Sequence, residues 1–131
     1  MGLEAFNDVP GLCAPPEPYS YAIRAGETLY LAGQVALDEN GEVVGATVKD
    51  QARQVWSNIE RVLAAAGSSL ADVVKVTYYM QDIRELPEEM EIREQVFSGR
   101  PLPAVTAMQA AALGLPGLMM EVDVVAVTGS E

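Results

Sequence analysis

The periodicity of the chain predicts an α+β fold in which two helices pack on one face of a mostly antiparallel or mixed β-sheet. The main evidence is one long stretch, residues 47–66, in which apolar residues recur at the helical period. Shorter stretches that are rich in β-branched and aromatic residues lie before and after it. Taken in order, the segments predict the arrangement β-β-(β)-α-β-α-β-β.

The first third of the chain predicts a hairpin that follows an irregular start. Residues 1–18 are rich in Pro and Gly and are expected to form an irregular N-terminal segment. Residues 19–24 and 28–32 are predicted strands, joined by a tight turn. Asn40-Gly41 is the strongest turn signal in the chain, because Asn and Gly accept positive φ angles. The pattern then allows a further short strand at residues 42–44.

The long helix is predicted over residues 47–66. Thr47 is suited to cap its start, and Gly67 to end it. One face carries the apolar residues Val48, Ala52, Val55, Trp56, Ile59, Val62, Leu63 and Ala66. The opposite face carries Lys49, Arg53, Asn58, Glu60 and Arg61, which are expected to face water.

The remaining elements are a strand at residues 73–80, a second helix at 87–97, and strands at 104–109 and 119–127. Alternation along the strand at 73–80 would place Val74, Val76, Tyr78 and Met80 on one face. The last strand is apolar on both faces apart from its two acids, Glu121 and Asp123. Because such strands are usually covered on both sides, and the helices cover only one, we expect a homo-oligomer.

Composition limits the functions that the chain can perform. Its 131 residues suit one domain, and a formal net charge of -11 disfavours binding to nucleic acid or to anionic membranes. The absence of histidine excludes Ser-His-Asp triads and His-based zinc sites, and the single cysteine, Cys13, excludes an intrachain disulfide. No signal peptide or membrane-spanning run is recognised, so a cytoplasmic location is expected.

Several stretches resemble the RidA family of reactive-intermediate deaminases, also called YjgF-like proteins. They are PYS at residues 18–20, LAGQV at 31–35, QVWSNIERVLAAAG at 54–67, VVKVTYYMQD at 73–82, RPLPAVTAM at 100–108 and MEVDVVAV at 120–127. The resemblance covers about residues 15–127. It implies a chorismate-mutase-like fold and a homotrimer whose sheets form a central barrel, with a small-molecule cleft between each pair of subunits. It also implies hydrolysis of enamine or imine intermediates to a keto acid and ammonia, without a metal or an organic cofactor.

The resemblance also assigns site residues, and this chain departs from the family pattern at several of them, including Asp123, where the family has the longer glutamate. Tyr19 matches a tyrosine that closes over the cleft, Gly33 a backbone position that lines it, and Asp123 the acid that positions the hydrolytic water. Val105 stands where the deaminases have the arginine that binds the substrate carboxylate, and valine has no charge and no donor. Met90 falls where some deaminases have an asparagine. We therefore expect a cleft that is more apolar than in typical members, with an altered substrate preference.

For other residues near these positions, the sequence allows two alternative roles. Glu121 lies roughly 6.6–7 Å from Asp123 on the same strand face and is either a second site carboxylate or a solvated acid. Thr106 is a candidate hydrogen-bond donor in the cleft, against ordinary strand packing. Arg100 either supplies an anion-binding group from a displaced position or is a solvated loop residue. Three functions follow in order of preference: an imine-processing enzyme, a non-catalytic ligand-binding or regulatory trimer, and an endoribonuclease or translation inhibitor.

Overall fold

Residues 2–129 are described by the structure, a computed structural model of the chain, and they form a six-stranded sheet with two α-helices. The strands are β1 Glu4–Phe6, β2 Ala22–Ala25, β3 Thr28–Leu31, β4 Val73–Met80, β5 Ala104–Gln109 and β6 Met120–Val127. The helices are α1 Val48–Ala65 and α2 Leu86–Val96, and short 3₁₀ turns lie at Leu70–Asp72 and Ile83–Glu85.

The sheet is mixed, as the sequence predicted. Its strand order is β1-β2-β3-β6-β4-β5, and every neighbouring pair is antiparallel except β4 and β5. Parallel neighbours need a crossover connection, and α2 supplies it between β4 and β5. The last strand in sequence, β6, therefore lies in the interior of the sheet between β3 and β4.

Local signals explain where α1 begins and ends. The Thr47 hydroxyl accepts a hydrogen bond from the backbone N–H of Asp50 at 3.1 Å, and Gly67 has the left-handed φ of 77° that commonly follows a helix. The apolar face of α1 is buried, including Val55, Trp56 and Ile59. These side chains pack with the inner residues of β4 and β6 in one core.

Asn58 is the exception on the face of α1 that was expected to meet water. It is buried, and its amide donates to the carbonyl oxygens of Val35 at 3.1 Å and Leu37 at 2.9 Å. The prediction was wrong because the loop after β3 runs over this part of the helix. The backbone carbonyls of this loop are shielded from water and need a hydrogen-bond donor, which the Asn58 side chain provides.

Two expectations for the N-terminal part are also corrected. The segment expected to be irregular contains β1, which adds an edge strand to β2 with Glu4 opposite Arg24. Such a three-residue strand depends on a distant partner rather than on local sequence. The strand expected at residues 42–44 is reduced to a single bridge between Leu37 and Val43, because the tight turn at Asp38 closes the two sides after one pair.

A bulge changes the facing of residues at the start of β4. The register between β4 and β6 shifts between Val73 and Lys75, so Val73 is buried whereas Val74 is 42% exposed. Strict alternation had predicted the reverse for Val74, and a bulge breaks that alternation by one residue. Beyond the bulge the prediction is confirmed, since Val76 and Tyr78 are fully buried.

Large apolar side chains on several strands are left exposed, namely Tyr30, Val74 and Met108. Coverage of the sheet by further subunits stays a prediction. Neither helix of the part that the structure describes combines the length and apolar character needed to cross a bilayer.

Candidate functional site

Glu121 lies at the centre of the candidate site because β6 and the segment after β3 hold it against Gly33. Gln34 and Val122 exchange two backbone hydrogen bonds of 2.8 and 2.9 Å, which fix this segment beside β6. The Glu121 side chain then occupies the space that a side chain at position 33 would take. A Cβ atom added to Gly33 would lie 2.2 Å from Glu121 Oε2, so only glycine fits this arrangement.

The first of two cavities, here called the Tyr19 cavity, lies on one side of the Glu121 carboxylate. It has a volume of about 450 Å³. Its polar lining includes Tyr19, Glu17 and Cys13, and its apolar wall includes Leu115 and Leu118. The Tyr19 ring packs edge-on against Tyr21, and the Tyr21 hydroxyl donates to the carbonyl oxygen of Cys13 at 2.7 Å. The N-terminal segment is thus fixed as one side of the cavity.

The second cavity, here called the Tyr79 cavity, lies along the neighbouring part of β6. Its volume is about 260 Å³, and Tyr79, Glu121 and Asp123 provide its polar groups. The Tyr79 hydroxyl donates to Asp123 Oδ2 at 3.1 Å. Glu121 and Gly114 line both cavities, so these two residues lie between the two spaces.

Burial and neighbouring charge raise the pKa of three groups in the site, Glu121, Tyr19 and Tyr79. The pKa of the Glu121 carboxyl is raised first by burial and second by the charge of Asp123. The pKa of Tyr19 is also raised, by burial and then by Cys13, Glu17 and Glu121. The nearby charge of Asp123 and its hydrogen bond raise the pKa of Tyr79. Glu121 is therefore a carboxyl that can exchange a proton nearer to neutral pH than an ordinary glutamate.

Comparison with known proteins identifies the family of this chain. The profile of the family described as Endoribonuclease L-PSP matches residues 12–128. The chain belongs to this family, which includes the RidA proteins. It is similar to a RutC family protein of Pyrococcus horikoshii, with 41% identity over 113 residues that cover 86% of this chain and 88% of the relative. It is also similar to the 2-iminobutanoate/2-iminopropanoate deaminase of Homo sapiens, with 36% identity over 86% of this chain and 81% of the relative.

Solved structures of the RidA family have the same fold. A Rid family protein of unknown function from Yersinia pestis, YyfA, superposes with a TM-score of 0.91 at 28% identity, over 97% of this chain and 100% of that one. The structure of Escherichia coli TdcF with bound serine has a TM-score of 0.88 at 25% identity, over 96% and 100% of the two chains. The predicted RidA-like fold is therefore confirmed.

Only part of the site predicted from the RidA resemblance comes together in one subunit. Tyr19, Gly33 and Glu121 line the Tyr19 cavity, and Asp123 lies next to them in the Tyr79 cavity. Val105 is elsewhere, because it pairs with Val76 of β4 and packs against the core.

Met90 and Thr106 also lie outside the two cavities. Met90 is exposed on α2. Thr106 is exposed on β5, where its hydroxyl accepts a hydrogen bond from Lys75 Nζ at 2.6 Å. Thr106 therefore already has a partner outside the cavities, and the cleft role expected for it gains no support within one subunit.

Tyr79 is a site residue that sequence reasoning missed. It lies directly opposite Glu121 in the pairing of β4 with β6, and its hydroxyl reaches diagonally to Asp123. Alternation placed Tyr79 on the face away from Tyr78 and the core, which is correct. The missing information was the pairing partner of β4, because the sequence order of the strands does not reveal that β6 inserts between β3 and β4.

Proposed function

We propose that this RidA family member hydrolyses a small imine or enamine intermediate in the cavities around Glu121, with a substrate preference altered by Val105. The observation that carries the proposal is the Glu121 carboxyl, which is partly buried, has a raised pKa and packs on Gly33 beside Tyr19. A carboxyl in such surroundings can act as a general acid or a general base near neutral pH.

Hydrolysis of an imine requires few catalytic groups. An imine carbon is electrophilic, so hydrolysis needs a positioned water molecule, a base for its proton and an acid for the departing nitrogen. Ionised Glu121 accepts a proton from water as the C–O bond forms, and the π electrons of the protonated imine move to its nitrogen. The carboxyl returns that proton to nitrogen. The C–N bond then breaks and ammonia leaves as the hydroxyl oxygen forms the C=O bond and gives its proton to Glu121. The sequence assigned this role to Asp123. The geometry favours Glu121, because it alone of the two carboxylates contacts Gly33 and lines both cavities.

The substrate preference follows from what surrounds the carboxyl. The human relative's name refers to imino acids, and the E. coli TdcF structure contains serine, so both proteins are linked to ligands with a carboxylate. Here Val105 offers no donor to such a group, and no Lys or Arg lines either cavity within residues 2–129. We expect simple 2-imino acids to be poor substrates.

The site is proposed to be completed between subunits of a homotrimer. Val105 and Met90 do not reach the two cavities of their own chain, so a role for them requires a neighbouring copy. The exposed side chains of Tyr30, Val74 and Met108 support such an association, because each is a large apolar group that a neighbouring subunit would cover. Analytical ultracentrifugation tests the trimer directly, and a monomer at micromolar concentration would contradict it.

The experiment for the reaction compares carboxylates within one protein. Ammonia release is followed with imines generated in situ, from amino acids by an amino-acid oxidase and from amines by an amine oxidase. Glu121→Gln is expected to lose activity about 100-fold or more, as for loss of a general acid–base group. Glu94→Gln, on the exposed side of α2, makes the same charge change away from the site and serves as the control. If Asp123→Asn abolishes activity while Glu121→Gln retains it, the original assignment of Asp123 is the correct one.

Absence of turnover with every imine would favour the alternative of a ligand-binding trimer. RNA cleavage, which the family description suggests, is the least favoured function. The net charge of -11 repels a phosphate backbone, and the chain has no histidine for acid–base catalysis. Degradation of an RNA substrate by the parent protein, and not by Glu121→Gln, would reverse this order.

A further inference from the structure

We infer that Gln51 is a positioning residue for the proposed reaction: its buried amide holds the loop that leads into β6, and through this loop it sets the place of the Glu121 carboxylate and of one wall of the two cavities. The catalytic part of the inference rests on the proposed function. The anchoring part does not, because it concerns contacts within one chain and can be measured without turnover.

The Gln51 side chain joins α1 to two other segments. Its Nε2 donates to the carbonyl oxygens of Gly45 at 3.1 Å and Gly117 at 2.8 Å, and its Oε1 accepts from the backbone N–H of Met119 at 2.9 Å. Gln51 is only 1% exposed, so water does not compete for these bonds. All three partners belong to the same chain, and association with other subunits would leave these contacts in place.

The chemistry of the three partners requires an amide at this position. Two carbonyl oxygens need two donors, and one backbone N–H needs an acceptor, which is the set that a glutamine side chain offers. An ionised glutamate of the same length has no donor, and methionine has only a weak sulfur acceptor. Because buried backbone groups are costly to leave without a partner, this side chain fixes the relative places of the segments that it joins.

The segment at residues 111–118, here called the 111–118 loop, depends on this anchor. The loop consists of Ala, Leu, Gly and Pro and has no polar side chain. Within the described chain, the bond from Gln51 to the Gly117 carbonyl is the only hydrogen bond between this loop and the rest of the protein. Just before the loop, the backbone N–H of Ala110 donates to the Met80 carbonyl at 2.9 Å. The loop is therefore held at its two ends, and Gln51 holds the end next to β6.

The 111–118 loop forms a wall of the candidate site. Ala112 and Leu113 line the Tyr79 cavity, Leu115 and Leu118 line the Tyr19 cavity, and Gly114 lines both. Movement of the loop away from α1 would therefore change the shape of both cavities.

The same anchor fixes the backbone just before Glu121. The N–H of Met119 donates to Gln51, and the carbonyl of Met119 accepts from the N–H of Gln81 at 3.0 Å. Glu121 follows two residues later, and the pairing with Gln34 begins at the next residue. The backbone is thus held on both sides of Glu121, and loss of the Gln51 contacts would loosen one of the two sides.

The first test measures local anchoring by backbone amide hydrogen exchange. Gln51→Met keeps a side chain of similar length and removes all three hydrogen bonds. We expect exchange at residues 117–121 to become about ten-fold faster or more, beyond any change in the slowest core amides, because a lost local contact favours local opening. The control Tyr78→Phe removes a buried hydrogen bond to Trp56 away from the loop and should have no selective effect there. Equal acceleration of the loop and the core in both variants would overturn the inference.

The second test measures imine hydrolysis per mole of folded protein. Gln51→Met should lower kcat/KM by about ten-fold or more, since a displacement of about 1 Å at a reacting group can cost roughly 100-fold, and Tyr78→Phe should keep the parental value. Parental kcat/KM in Gln51→Met would overturn the positioning role. If Gln51→Met does not fold, Gln51→Asn replaces it, because it keeps the amide but is one methylene too short to reach all three partners. Parental exchange and parental kcat/KM in Gln51→Asn would likewise overturn the inference.

Failure of this inference and failure of the proposed function give different results. If the parent protein hydrolyses imines and Gln51→Met does so equally well, the inference fails and the proposed function stands. If the parent hydrolyses no imine, the proposed function fails together with the catalytic part of the inference. Selective exchange at residues 117–121 in Gln51→Met would then support the anchoring, and its absence would overturn it.

Discussion

Gly33→Ala should remove activity while leaving the fold intact, because the new methyl group would occupy the position of the Glu121 carboxylate. The added Cβ would lie 2.2 Å from Oε2 and 2.8 Å from Cδ of Glu121, whereas ordinary contacts begin near 3.4 Å. The carboxylate must therefore retreat by about 1.2 Å. A displacement of about 1 Å at a reacting group can cost roughly 100-fold, so kcat/KM is expected to fall by about that factor.

Stability should change little in this variant. Gly33 is not among the glycines with a left-handed backbone, so alanine is sterically allowed there, and the Glu121 side chain can rotate away. We expect a free energy of unfolding within about 1 kcal/mol of the parent, measured by urea titration.

Gly67→Ala is the complementary control. Its φ of 77° at the end of α1 strains any other residue, which should cost about 1–2 kcal/mol of stability without changing kcat/KM. Parental kcat/KM in Gly33→Ala would refute the role given to the contact between Gly33 and Glu121. A large loss of stability in Gly33→Ala would show that the glycine is needed by the fold.

Three further predictions concern buried polar groups. Glu89→Ala should lower the free energy of unfolding, measured by urea titration, by about 3 kcal/mol. The reason is that the mostly buried Arg93 would lose the carboxylate that it contacts at 2.8 and 3.2 Å. A loss below about 1 kcal/mol would contradict this prediction. Tyr78→Phe should lower the free energy of unfolding by about 1–3 kcal/mol, because the Trp56 indole N–H would lose its acceptor at 3.0 Å inside the core. An unchanged free energy of unfolding would argue against this hydrogen bond. The raised pKa of Glu121 means that the folded chain holds this proton to higher pH than the unfolded chain, so its ionisation lowers stability as pH rises through the folded pKa. Glu121→Gln should therefore raise the thermal midpoint relative to the parent near neutral pH and match it near pH 4, and an equal difference at both pH values would contradict the assigned pKa direction.

The elements that sequence reasoning predicted well are those whose signals are local. The helix α1 has a cap at Thr47, a stop at Gly67 and a continuous apolar face between them, and its bounds agree with the prediction to within a residue. The features that it missed depend on distant neighbours. The strand β1 exists because it pairs with β2, and Asn58 is buried because a loop crosses the helix above it.

The exposure of Val74 illustrates a second limit of sequence-based prediction. Alternation is a rule about regular pairing, and a bulge between Val73 and Lys75 interrupts it. The residues on both sides of the bulge are ordinary strand formers, so nothing in the local sequence marks the irregularity. The same reasoning explains why Tyr79 was not recognised as a site residue, since its role depends on which strand lies opposite.

Strand periodicity predicted the shared face of the two β6 carboxylates but not their separate surroundings. Alternation correctly puts Glu121 and Asp123 on one face, but it treats them as equivalent. Only the motif match assigned the water-positioning role to Asp123. What distinguishes them is the backbone segment at Gly33, which the bridge between Gln34 and Val122 holds against Glu121 and not against Asp123. Asp123 is instead held by Tyr79, where its charge helps to raise the pKa of Glu121. The proposed function therefore gives the two acids different roles: Glu121 would exchange a proton, and the charge of Asp123 would raise the pKa at which it does so.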